Sequence, residues 1–132
     1  MRKIIFACVH NAGRSQMSAA FFNRYADPTK AHAISAGTNP ATHVHPEVLT
    51  VMREIGIDLK NAEPQKLTAE LAQDAHLLIT MGCGEQCPYV PGLKREDWPF
   101  PDPKGQGVER TRSIRDDIER KIKAFIQSEN LD

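Results

Sequence analysis

The chain has 132 residues, 40% of them hydrophobic, and its 17 Lys and Arg balance 17 Asp and Glu to a formal net charge of zero. That length suits one domain, residues 1–132, with a core large enough to need no disulfide or metal staple. Balanced charge without a long run of one sign argues against a nucleic-acid partner or an acidic one, and directs attention to a local site.

The amino terminus places Met1-Arg2-Lys3 ahead of a short apolar run at 4–9, which stops too soon for a signal-peptide core and cleavage site. No later stretch reaches membrane-spanning length. The expectation is a cytoplasmic protein with no membrane partner. Thiols stay reduced in that compartment, so Cys8, Cys83 and Cys87 are read as reactive, metal-binding or buried rather than as a disulfide framework.

Residues 3–7 form a continuous apolar run with two isoleucines, which predicts a strand buried on both faces. Small and polar residues come next, from Cys8 to Gln16. Met17, Ala20, Phe21 and Tyr25 then recur at helical spacing until Asp27-Pro28, predicting a helix over 14–26. A strand is expected at 31–36, ending at Gly37. A helix is expected at 46–55, with Pro46 in its first turn, Gly56 at its cap, and Val48, Val51, Met52 and Ile55 on one face. A short helix starts at Thr68, before an apolar strand at 76–81. Residues 82–103, rich in Gly and Pro, make a long loop that carries Cys83 and Cys87, with a short strand near 96–100. Loops of that length are usually functional or disordered. The chain closes with an amphipathic helix over 109–127 that turns Ile114, Ile118, Ile122, Phe125 and Ile126 inward. Alternating strands and helices imply an α/β fold with right-handed crossovers, a parallel sheet and helices on both faces. Ligands bind such sheets at the carboxyl ends of the strands, where Cys8 falls.

A loop between a strand and a helix amino terminus offers unpaired backbone N–H groups and the positive end of the helix dipole, so it attracts an anion. Here the cradle is the backbone of Val9, His10, Asn11, Ala12, Gly13, Arg14 and Ser15. Ala12 and Gly13 let the chain curl closely, and Asn11 tolerates a left-handed conformation. Arg14 adds a planar fork of donors matched to a tetrahedral oxyanion. The same surroundings, with the Ser15 hydroxyl as a donor, favour a thiolate at Cys8, so that a nucleophile and an oxyanion cradle coincide. His10 suits shaping the loop or its entrance better than acting as a general base. The competing account makes Cys8 an inert buried thiol and Arg14 a solvated first-turn residue.

The run Cys8-Val-His-Asn-Ala-Gly-Arg14-Ser15, continued by Gln16-Met17, resembles the phosphate-binding loop of the low-molecular-weight protein tyrosine phosphatase family, and particularly its arsenate reductase branch. Ser35-Ala36-Gly37-Thr38 resembles the second-strand signature of that family, and Asp102-Pro103 its general-acid loop. The likeness spans essentially the whole chain. It implies a four-stranded parallel sheet flanked by helices on both faces, with Asp102 protonating the departing oxygen. Without the resemblance, Asp102 reads as a turn residue, since Asp-Pro is a common turn pair.

The loop cannot distinguish arsenate from phosphate, which share shape and charge. A phosphoryl group on Cys8 can only be hydrolysed, whereas arsenic(V) bound to sulfur accepts two electrons when a second thiol attacks that sulfur and leaves as a disulfide. Cys83 and Cys87 supply two further thiols, with Cys83 the first choice for attacking Cys8. A zinc site would want about four ligands, and no second ligand pair accompanies these two. Incidental thiols are the other alternative. Lys104-Gly105 come after Asp102-Pro103 where the phosphatase branch usually has aromatic residues, which speaks against a large aryl substrate. In thioredoxin-coupled members of the family the resolving cysteines lie farther apart than Cys83 and Cys87, and some relatives use a small-molecule thiol instead. Certain reductases hold a potassium ion through acidic residues whose positions here are Ala19 and Lys66, neither of which is a carboxylate.

The resemblance therefore implies an arsenate reductase built on Cys8, Arg14 and Asp102. It would have no bound cofactor, no metal, and an external reductant: thioredoxin, glutaredoxin or a low-molecular-weight thiol. The alternatives are a phosphatase for phosphotyrosine or a small phosphate ester, and a non-catalytic anion-sensing or interaction module.

Overall fold

A computed structural model describes residues 1–82 and 90–132. Four strands, β1 (Arg2–Cys8), β2 (Ala31–Gly37), β3 (Leu77–Thr80) and β4 (Arg95–Asp97), form one sheet in the order β2-β1-β3-β4. Every pairing is parallel. Among the described residues, four helices accompany it: α1 (Arg14–Tyr25), α2 (Pro46–Glu54), α3 (Ala69–Ala72) and α4 (Gly107–Ser128). Among the described residues, no helix is long and apolar enough to cross a membrane.

The central strand β1 explains the sheet. Ile4, Ile5, Phe6 and Ala7 are all fully buried, so successive side chains enter opposite faces and both faces must be covered. Ile4, Phe6 and Cys8 enter the larger core with Met17, Phe21 and Phe22 of α1, Val48, Val51 and Met52 of α2, and the Ile114-Ile118-Ile122-Ile126 stripe of α4. Ile5 and Ala7 enter a smaller core with Leu78 and Ala72, against which Leu67 and Leu71 pack. The expected helices on both faces are thus unequal: α1, α2 and α4 cover one face, and the four-residue α3 with its flanking segments covers the other.

Two sequence expectations shift. Phe125 is only partly buried, because it lies at the rim where its ring meets Trp98 edge-on at 5.2 Å. The strand expected near 96–100 is β4, Arg95–Asp97, with Asp97 paired to Thr80. It ends there because Trp98, though its N–H still reaches the Thr80 carbonyl at 2.7 Å, turns a buried ring against Phe6, and Pro99 and Pro101 have no N–H to continue the ladder.

Strand register sets the position of the loops at the sheet edge. Cys8 pairs with Gly37 at the carboxyl edge, so the loop after β1 lies directly over the loop after β2. A Cβ at Gly37 would fall 2.5 Å from the Val9 carbonyl oxygen and 3.0 Å from the Asn11 nitrogen. Only glycine lets the two loops meet this closely.

Candidate active site

The segment between β1 and α1 is held from outside by its carbonyls. Asn39, Ala41 and His45 donate their backbone N–H groups to the carbonyl oxygens of Val9, His10 and Ala12 at 2.8, 2.9 and 2.9 Å. In a planar trans peptide the carbonyl and the adjoining N–H point in opposite directions. The N–H groups of His10, Asn11 and Gly13 are therefore turned inward, and that of Asn11 reaches Cys8 Sγ at 3.3 Å. Asn11 has a φ of 51°, the left-handed conformation that asparagine tolerates better than most residues.

Asn11 is fully buried and organises the loop. Its Oδ1 accepts from the backbone N–H of Gln65 at 2.9 Å, while Gln16 Nε2 donates to its carbonyl at 3.1 Å. Its Nδ2 donates to Ser15 Oγ at 2.8 Å. Ser15 Oγ is 2.9 Å from Cys8 Sγ, and with its lone pair engaged by Asn11 the hydroxyl proton is free to point at the sulfur. Cys8 is itself only 3% exposed. Its sulfur thus faces a backbone N–H and a hydroxyl, the surroundings that stabilise negative charge.

Arg14 opens α1 and ties the loop to the rest of the sheet edge. Its Nη1 donates to the carbonyls of Met81 and Phe100 at 2.7 and 2.9 Å, fixing the guanidinium between the ends of β3 and the segment after β4. Its Nη2 lies 3.8 Å from Asp102 Oδ2. Asp102 is half-exposed, and its Oδ1 accepts the Lys104 backbone N–H at 3.0 Å in a local turn. The turn expected of this aspartate is present, and the structure adds its proximity to Arg14.

Cys8, His10, Ala12, Gly13, Arg14 and Asp102 line one cleft together with His45, which sequence reasoning did not single out. His10 has its Nδ1 3.1 Å from the Asn39 carbonyl, an arrangement that anchors the loop rim. His45 precedes α2 and was hidden by distance along the chain. The available signal was its position just before Pro46, in a segment that must return from Gly37 across the same sheet edge. Partial burial holds its imidazole below the usual histidine range, against the opposing pull of the Asp102 carboxylate. A second cleft, lined by Val9, His10, Arg14, Gly82, Phe100, Pro101 and Asp102, shares His10, Arg14 and Asp102 with the first.

Cys83 and Cys87 lie outside the described residues. Among the described residues, no group of three or more His, Cys, Asp or Glu side chains is placed to hold a metal ion. Ala19 is buried in the larger core, and Lys66 is bridged to Gly37 beside the loop.

Residues 3–132 match the family described as low molecular weight phosphotyrosine protein phosphatase. The chain belongs to this family. Its relatives within it include the arsenate reductase of Bacillus subtilis, 33% identical over 136 residues that cover 95% of this chain and 95% of the relative. The glutaredoxin arsenate reductase of Synechocystis is 31% identical over 129 residues, covering 96% of this chain and 97% of the relative. Among solved structures, the thioredoxin-dependent arsenate reductase of Corynebacterium glutamicum is 35% identical with a TM-score of 0.80. The match covers 97% of this chain but 61% of that one, so that protein extends well beyond the shared fold. At that TM-score the two chains share the fold described above.

Proposed function

We propose that this chain is an arsenate reductase acting in the cytoplasm as one catalytic domain, with Cys8 as nucleophile, Arg14 and the backbone of residues 9–15 as the oxyanion cradle, and Asp102 as the acid. The observation that carries this reading is the sulfur of Cys8, which meets the Asn11 N–H and the Ser15 hydroxyl at the floor of a cleft walled by Arg14 and Asp102. The reductases among its family relatives support the same assignment.

In the first step the Cys8 thiolate forms a sulfur–arsenic(V) bond and one arsenate oxygen leaves as water, receiving its proton from Asp102. The N–H groups of His10, Asn11 and Gly13 and the Arg14 guanidinium hold the remaining oxygens. In the second step another thiol attacks Cys8 Sγ. A disulfide forms, the sulfur–arsenic bond breaks, and its electron pair passes to arsenic, which departs as arsenite. Cys83 or Cys87 supplies that thiol. Gly82, which lines the second cleft with Arg14 and Asp102, immediately precedes Cys83 in the chain. An external thiol reductant then reduces the disulfide.

The deciding experiment monitors arsenate-dependent oxidation of thioredoxin, glutaredoxin and a low-molecular-weight thiol in parallel, with Cys8→Ser, Cys83→Ser and Cys87→Ser beside the wild type. Oxidation that requires both arsenate and Cys8 is expected. Loss of multiple turnover in either cysteine variant assigns the second thiol. Hydrolysis of a phosphate ester without reductant, and no arsenate-dependent oxidation, would turn the assignment to a phosphatase.

A further inference from the structure

The cleft contains a group that neither the loop pattern nor the proposed chemistry uses. The His45 backbone N–H is committed to Ala12 at 2.9 Å, which fixes the residue against the loop, and its ring lies beside Gly13, where a Cβ would sit 3.4 Å from His45 Cδ2. The ring lines the space that also holds Cys8, Arg14 and Asp102. Neither ring nitrogen hydrogen-bonds to another described residue, in contrast to His10, whose Nδ1 faces the Asn39 carbonyl. A half-buried imidazole in an anion cradle with its polar atoms uncommitted is a donor awaiting an acceptor.

We propose that the His45 ring is a further oxyanion-binding group of this cleft, donating an N–H to a bound tetrahedral anion and taking up a proton as the anion enters. The inference rests on the reading of the cleft as an oxyanion site. Arg14 has Nη1 committed to two carbonyls, so part of its donor set is already in use. The charged and titratable groups around His45 are Asp102 and Lys104 from the segment before α4, Glu47 from the first turn of α2, and His10, Arg14 and Cys8 from the loop and its ends. Burial by the protein disfavours the imidazolium. A dianion brought against the ring reverses that preference, because opposite charge stabilises the protonated form. By linkage, whatever raises the proton affinity of the ring on binding raises anion affinity as pH falls.

Inorganic sulfate is a suitable probe, since it stays dianionic across the histidine range, and Cys8→Ser protein removes the other group at the cleft floor that could take up a proton. Calorimetric titration in two buffers of different ionisation enthalpy reads both affinity and protons taken up. In the Cys8→Ser background sulfate is expected to bind about 3- to 10-fold more tightly at about pH 5.5 than at about pH 7.5, one pKa unit of coupling being a factor of ten. Proton uptake should accompany binding. Adding His45→Asn should flatten the affinity to within about twofold and abolish the uptake, while adding His43→Asn, at an exposed histidine outside the cleft lining, should leave both. A ring-proton titration of His45 by NMR, with and without sulfate, supplies an independent reading that needs no His45 variant. Its midpoint should move to higher pH with sulfate. An unmoved midpoint, or undiminished uptake in the His45 variant, overturns the inference and leaves the oxyanion site standing. Absence of sulfate binding in every protein overturns both.

Discussion

The Asn11 side-chain amide donates to Ser15 Oγ at 2.8 Å, and Ser15 Oγ in turn lies 2.9 Å from Cys8 Sγ. The orientation of the hydroxyl proton at the sulfur is thus set by a residue that also carries the left-handed turn of the loop, so one buried asparagine governs both the backbone path and the donor set.

Asn11→Ala removes three side-chain hydrogen bonds at once and places a less tolerant residue at φ 51°. Unpaired buried partners and left-handed strain each cost about 1–2 kcal/mol, so a loss of about 2–4 kcal/mol is expected in denaturant unfolding. Arsenate turnover should fall as well. A stability within about 0.5 kcal/mol of wild type would mean that the loop is held by its outer carbonyl bonds alone.

Cys8→Ser is expected to abolish arsenate reduction while leaving thermal unfolding nearly unchanged. Serine keeps the contact to Ser15 but is far less nucleophilic at neutral pH. Activity near wild type, measured as arsenite formed, would exclude Cys8 as the attacking group.

Asp102→Asn keeps an oxygen that can accept the Lys104 N–H, so the turn should survive. The proton for the leaving oxygen is lost, and a rate decrease of about 10²- to 10⁴-fold is expected in single-turnover measurements. An unchanged rate would leave Asp102 a turn residue.

Gly37→Ala sets a methyl group 2.5 Å from the Val9 carbonyl and 3.0 Å from the Asn11 nitrogen, both backbone atoms that cannot yield like a flexible side chain. Overpacking of this kind costs about 1–3 kcal/mol. Relief would require the oxyanion loop to lift from β2. Weakened sulfate binding should therefore accompany the lower melting temperature, and a variant that loses stability but binds sulfate normally would show that the sheet rather than the loop gives way.

Away from the site, Glu54 joins α2 to α4 through Arg112 and Arg115, and those hydrogen bonds hold its carboxyl down from 4.5 to about 2. A carboxyl depressed in the folded state stabilises above its unfolded value and loses that contribution as pH falls. The wild type is expected to lose melting temperature between about pH 5 and pH 2, with a shallower decline in Glu54→Gln. Parallel profiles for the two proteins would remove Glu54 from the acid response.

Much of this was legible in the chain. The unbroken Ile4-Ile5-Phe6-Ala7 run could only be a strand covered on both sides, and the isoleucine stripe of α4 at four-residue spacing could only be one inward face. Cys8, Asn11, Gly13, Arg14 and Ser15 were readable together because a strand–loop–helix unit builds its cradle from contiguous residues, where local conformation and sequence spacing coincide.

What contiguous sequence does not encode is which distant segment lies against the loop. The parallel register that pairs Cys8 with Gly37 brings 39–45 over residues 9–12, and so carries His45 into the cleft some 37 positions after Cys8. Arg14 takes its fixed orientation from Met81 and Phe100, 67 and 86 residues away, through carbonyls that carry no side-chain signature. Sequence alone singled out Cys8 and the loop of residues 9–15 as the proposed nucleophile and cradle, because the chemistry proposed for them resides in side-chain type and short-range backbone geometry. Tertiary structure decided the walls of the cleft, because main-chain hydrogen bonds between distant segments depend on sheet register rather than on residue identity.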